Sequence, residues 1–150
     1  MEDVNAFVKA TVARLKDADT ALHNGDANPR KTETWSHAPP VTVFGAAMSR
    51  RGWAEISQMF DRLATQFSDC ESFDIEVIAT GLSGDLAYLA AIERTAASIN
   101  GEPQAYALRV TQVFRREDGE WKVVHRHADR LEGADVRRQL LQLDEATGPG

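Results

Sequence analysis

The sequence predicts one α+β domain in which N-terminal helices cover one face of a curved, mainly antiparallel sheet. Three observations predict it. The first part of the chain repeats apolar residues at helical spacing, the rest alternates them with period two, and the strand-like runs follow one another across short turn signals. Helices first and consecutive strands afterwards is the order of an α+β layer pair. A curved sheet closed by helices makes a cone, and the inside of a cone is a natural pocket.

Val4, Phe7, Val8, Thr11, Leu15, Ala18 and Leu22 share one helical face, and Asn24-Gly25 tolerates the left-handed geometry that ends a helix. Residues 27–40 read as a short helical turn and a loop, and Pro39-Pro40 forces extended backbone. Val41 to Phe44 is then a short strand ended by Gly45, and Ser49 is placed to cap a second helix striped by Trp53, Ile56, Met59, Phe60, Leu63 and Phe67. After Ser68 the period changes. Phe73, Ile75 and Val77 alternate with Asp74 and Glu76, and Gly81 to Gly84 is a turn. Leu86–Ile99, Gln104–Arg116 and Glu120–Leu131 are three further strands, joined at Asn100-Gly101 and Asp118-Gly119. The domain is expected to span residues 1–131. Residues 132–150 form a tail in which Val136, Leu140 and Leu143 suggest a short helix.

A chain of 150 residues with 43% hydrophobic content fits one domain and can fill one core. Its net charge of −6 argues against nucleic acid and against an anionic membrane surface, because both reward a basic face. The single cysteine, Cys70, cannot form an internal disulfide, and its acidic neighbours Asp69 and Glu71 disfavour a reactive thiolate. No apolar run is long enough to span a bilayer, and Met1-Glu2-Asp3 leads into no signal-like segment, so a cytoplasmic location is the default expectation.

The last hairpin can be read in register. With Asp118-Gly119 as a two-residue turn, facing residues sum to 237. His125, His127 and Asp129 then share a face with Trp121, Val123, Tyr106, Leu108, Val110, Gln112 and Phe114, while Arg109 and Thr111 face the other way. A one-residue slip would exchange those faces. Two imidazoles and a carboxylate at alternate positions suit general acid–base work, the holding of two metal ligands, or a passive structural lining. A metal is the least supported, since no third ligand is identifiable by spacing. Trp35 and Trp53 flank the first strand and are taken as closing the pocket mouth or as ordinary core aromatics. Glu93 and Arg94 are neighbours on an apolar strand, so one of them points inward, as a functional group or as half of an ion pair.

These stretches resemble a known family. Trp35-Ser36-His37-Ala38, Val41 to Gly45, Arg51 to Ile56, Ser83 to Tyr88, Ile92-Glu93-Arg94 and above all Ala107 to Asp129 are similar to the SnoaL-like branch of the nuclear transport factor 2-like superfamily, related to ketosteroid isomerase. The run from Arg109 to His127 also resembles the association domain of calcium/calmodulin-dependent kinase II. The resemblance covers nearly the whole chain. It implies a cone fold and a homodimer built on the sheet's outer face, and it leaves the activity open among isomerases, dehydratases, cyclases, hydrolases and non-catalytic assembly domains. Gln112 stands where the association domain has an arginine, and His125 and His127 are retained. Pro39-Pro40 stands where close relatives carry acidic residues, which removes that carboxylate base.

Two expectations follow. In the first, the chain is a lyase or isomerase needing no metal or nucleotide cofactor, acting on a hydrophobic oxygenated molecule. His127 and Asp129 are its acid–base pair, with Glu93 as a further catalytic candidate. Trp35, Phe44, Trp53, Arg94, Tyr106, Gln112 and His125 contact the ligand. In the second, the same pocket binds a ligand or supports assembly without catalysis.

Overall fold

The computed structural model describes residues 3–131. The tail helix expected around Val136 lies outside the described residues. Helix α1 (Val4–Leu22) starts at Asp3, whose carboxylate accepts the Asn5 backbone N–H at 2.7 Å. It buries Phe7, Thr11, Leu15, Ala18 and Leu22 along one stripe, and the chain reverses at Gly25 with φ +90°. A single π-helical turn, Arg30–Thr34, follows. Helix α2 (Trp53–Gln66) buries Ile56, Met59 and Phe60. No helix among the described residues is long and apolar enough to cross a membrane.

Six strands, β1 (Thr42–Phe44), β2 (Ser49–Arg51), β3 (Phe67–Ser83), β4 (Leu86–Ile99), β5 (Glu102–Glu117) and β6 (Glu120–Leu131), form one curved, open sheet. Its order is β2-β1-β6-β5-β4-β3, and all neighbours are antiparallel except β1 and β6. Ser49 does not cap α2. It pairs with Phe44 in the ladder, because the Gly45 N–H bonds the Met48 carbonyl at 2.8 Å and folds β2 back onto β1. Gly52 precedes the helix instead. Both expected turns form, with positive φ at Asn100 and Gly101 and at Asp118 and Gly119, and β5 starts at Glu102 rather than Gln104. Phe7 packs edge-on against Phe114 and Trp121, joining α1 to the inner face of the sheet.

The register of the last hairpin begins as the turn dictates and then changes. Glu117 faces Glu120 and Phe114 faces Val123, but Val113 faces His125, leaving Val124 as the extra residue of a β-bulge. The bulge sits where β6 changes its outer neighbour. The Ser36 N–H bonds the Val123 carbonyl at 3.0 Å on one side of it, and β1 pairs with β6 from His125 onward. Beyond the bulge Arg126 and Ala128 point inward with Trp121 and Val123, and all four are buried. His125, His127 and Asp129 therefore lie on the outer face. This reverses the expected facing of that triplet. Gln112 keeps its inward place, and Arg109 and Thr111 their outward one.

Candidate functional site

A cavity of about 330 Å³ lies between the inner face of the sheet and the helices. That is at the low end of small-molecule sites, roughly 300–1,000 Å³. Its apolar wall includes Leu22, Met59, Phe60, Leu63, Ile99 and Leu108, and the loop from Gly45 to Met48 forms part of the rim. Its polar wall comes from five places in the chain: His23 after α1, Arg30 from the π-helical turn, Glu93 and Thr95 on β4, Tyr106 on β5, and Arg126 and Arg130 on β6.

Two buried ion pairs organise that wall. Arg126 donates from Nη1 and Nη2 to the two carboxylate oxygens of Glu93, at 2.9 and 2.8 Å. Burial opposes the Glu93 charge, but Arg126 outweighs it and holds the carboxyl below its ordinary range. Asp19 and Arg30 form the second pair, and the Arg30 guanidinium also lies 5.0 Å from the Phe60 ring centre. Burial pushes the Asp19 carboxyl up to about 6 against the pull of Arg30.

His23 has a fixed tautomer. Its Nδ1 lies 2.6 Å from the Asp19 backbone carbonyl, which can only accept, so Nδ1 carries the proton. Nε2 then accepts from the Tyr106 hydroxyl at 3.0 Å. Burial pushes the His23 pKa down to about 4, so the ring is neutral at pH 7. Burial raises the Tyr106 phenol, against a hydrogen bond from Thr95, its cross-strand neighbour. Arg130 lies over the Tyr106 ring, 5.2 Å from its centre.

Of the residues singled out from sequence, Glu93 and Tyr106 line this cavity. The inward member of the Glu93-Arg94 pair is Glu93, and it is half of an ion pair. Arg94 points outward and pairs with Glu76 at 2.8 Å. His127 and Asp129 lie outside, where Asp129 takes two 2.7 Å hydrogen bonds from exposed Arg109. His125 shares a 2.7 Å hydrogen bond with Thr42, and the Phe44 ring meets both outer histidines edge-on. Gln112 is buried on the inner face but is not part of the cavity wall. Trp35 is a core residue packed against Phe60, and Trp53 stacks on His37 at 3.9 Å. The Trp35-to-Ala38 loop is fastened to the hairpin, since Arg115 bonds the Ser36 hydroxyl and the Ala38 carbonyl, each at 3.0 Å.

The residues missed from sequence are Asp19, His23, Arg30, Thr95, Arg126 and Arg130. A signal existed for two of them. Asp19 and His23 follow Leu15 at steps of four, so they share the helix face that Leu15 and Leu22 bury. Arg126 was hidden by the bulge, and Arg30 by the irregular backbone of its turn.

Residues 8–128 match the SnoaL-like domain family. Among curated proteins, none matches the chain. A nuclear transport factor 2-like superfamily protein of Salmonella enterica serovar Typhimurium is similar in structure, with 16% identity, TM-score 0.67, and coverage of 86% of this chain and 96% of that one. A candidate ketosteroid isomerase of Parabacteroides distasonis shares 15% identity with TM-score 0.63, covering 89% and 92%. The CaMKII hub of S. rosetta shares 20% identity with TM-score 0.60, covering 82% and 95%. At these identities the likeness is one of fold.

Proposed function

The chain belongs to the SnoaL-like domain family, and from that premise we propose that it binds one small, mainly apolar molecule inside the cone without converting it. One observation carries this reading. The acid–base groups deep in the cavity are already matched to protein partners: Glu93 with Arg126, and His23 with Tyr106 and the Asp19 carbonyl. A general base works best with a pKa near the working pH. Glu93 is held below the ordinary carboxylate range and His23 at about 4, so neither is poised to take a proton at pH 7. The same pairs make a rigid polar end beside an apolar wall, which orients a ligand. The acid–base reading built on His127 and Asp129 has no support from this cavity, because both side chains face away from it.

The test is to extract and identify any molecule that co-purifies with the protein, return it to the apo form, and recover it after prolonged incubation. Chemically unchanged ligand, lost from an Ala47→Trp protein whose rim is blocked, is the expected result. Ala47 is exposed, so that variant leaves the core intact. Recovery of a converted product would overturn the non-catalytic reading.

The outer face supports a second element of the proposal, a homodimer. Phe44, Leu86 and Tyr88 are 46%, 54% and 44% exposed, and Phe44 and Tyr88 flank His125 and Val113 on that face. Such apolar exposure is typical of an interaction surface. Light scattering should give twice the monomer mass, and Tyr88→Asp should shift it to the monomer. A wild-type monomer at micromolar concentration would sink this element.

A further inference from the structure

We propose that the ligand of the cavity is an amphipathic anion, with its apolar body against Leu63, Phe60 and Leu108 and a carboxylate at the mouth on Arg130. The inference rests on the binding reading above and names its ligand class. Three guanidinium groups, those of Arg30, Arg126 and Arg130, line the cavity, against the single carboxylate of Glu93. The deep charges cancel in pairs: Arg126 with Glu93, and Arg30 with Asp19 behind it. Arg130 is left over. Among the described residues no carboxylate forms an ion pair with it.

Placement adds to the charge count. Arg130 pairs in register with Leu108, which pairs with Glu93, so its side chain starts from the inner face of the sheet. It is exposed at the cavity edge rather than deep inside, and it rests on the Tyr106 ring. Tyr106 is itself held by His23, so the guanidinium lies on a fixed platform. The wall is also rich in hydrogen-bond donors. Arg126 gives two of its five N–H groups to Glu93, while no acceptor among the described residues takes a hydrogen bond from the Arg130 guanidinium. Donors in excess of acceptors call for a ligand that brings acceptors, and a planar carboxylate matches the guanidinium fork. A neutral alcohol supplies one weak acceptor. A cationic amine would meet the like charge of Arg130.

Calorimetric titration of the full chain at pH 7 with octanoate, 1-octanol and octylamine separates these classes. Octanoate should bind about tenfold or more tightly than 1-octanol, in line with a charge-assisted hydrogen bond. Octylamine should bind weakest. Arg130→Gln should remove the octanoate advantage and leave 1-octanol unchanged, and Arg130→Lys should restore part of it. Arg130 is at the surface, so these variants fold, and their melting temperatures check that. Equal binding of octanoate and 1-octanol, or unchanged octanoate affinity in Arg130→Gln, would overturn the anion assignment. If Ala47→Trp still abolished binding in that case, the cavity reading would stand. If no probe bound while a neutral molecule co-purified, the anion assignment alone would fall. If no probe bound and nothing co-purified, both would fall.

Discussion

Arg126 on β6 reaches past β5 to grip both carboxylate oxygens of Glu93 on β4, at 2.9 and 2.8 Å. The side chains are 9% and 3% exposed, so the pair is largely withdrawn from solvent even though it lines the cavity. Removing one partner leaves the other charged and buried. Glu93→Gln or Arg126→Met should each cost about 3–5 kcal/mol of folding stability. The double variant Glu93→Gln/Arg126→Met should cost clearly less than the two single losses added. Urea denaturation of the four proteins reads this coupling, and simple additivity would contradict it.

His23 gives a pH signature. Its folded pKa of about 4 lies below the ordinary 6.5, so folding favours the neutral ring. The stability it contributes is complete above pH 6.5 and is lost as pH falls from there to about 4. The slope cannot exceed about 1.4 kcal/mol per pH unit for one proton. Asp19 acts in the opposite sense, because its folded pKa is raised to about 6: its penalty relaxes as pH falls from about 6 to 3.8. The wild-type advantage over His23→Gln should therefore shrink between pH 6.5 and 4. A pH-independent difference would show that His23 does not titrate this way.

The outer residues should be silent in the cavity. His127→Ala and Asp129→Asn are expected to leave ligand affinity within about twofold of wild type, since both side chains face away from the bound molecule. Asp129→Asn breaks an exposed bridge to Arg109, whose partners are 57% and 52% exposed, and should change stability by about 1 kcal/mol or less. A tenfold loss of affinity in His127→Ala would mean that the ligand sits on the other face.

The bulge can be tested by deletion. Without Val124 the remaining residues alternate regularly, with Trp121 and Val123 inward, His125 outward and Arg126 inward. Such a protein should fold with the Arg126–Glu93 pair intact. Deleting His127 instead turns Asp129 inward at the place of Ala128, burying an unpaired carboxylate. Denaturation should show a much larger loss for the second protein. Equal losses would count against the facing described.

The sequence by itself determined the layer order, the existence of every strand but the short β2, and both type I′ turns, although β3 runs further than its period-two core and takes in Phe67 and Gly81 to Ser83. These depend on local chemistry: the stripe of Phe7, Leu15 and Leu22, the period-two runs, and Asn-Gly and Asp-Gly pairs that accept positive φ. It also reached the family, through the length of the matching hairpin. Only the tertiary structure decided which residues see the cavity. Val124 is as fit for a regular strand as for a bulge, and the bulge arises because β6 must pair first with the Trp35-Ser36 segment and then with β1. That single extra residue exchanges the faces of everything after it, sending His125 and His127 out and bringing Arg126 and Arg130 in. The partners of Glu93 and His23 come from elements far apart in the chain, so only packing could bring them together.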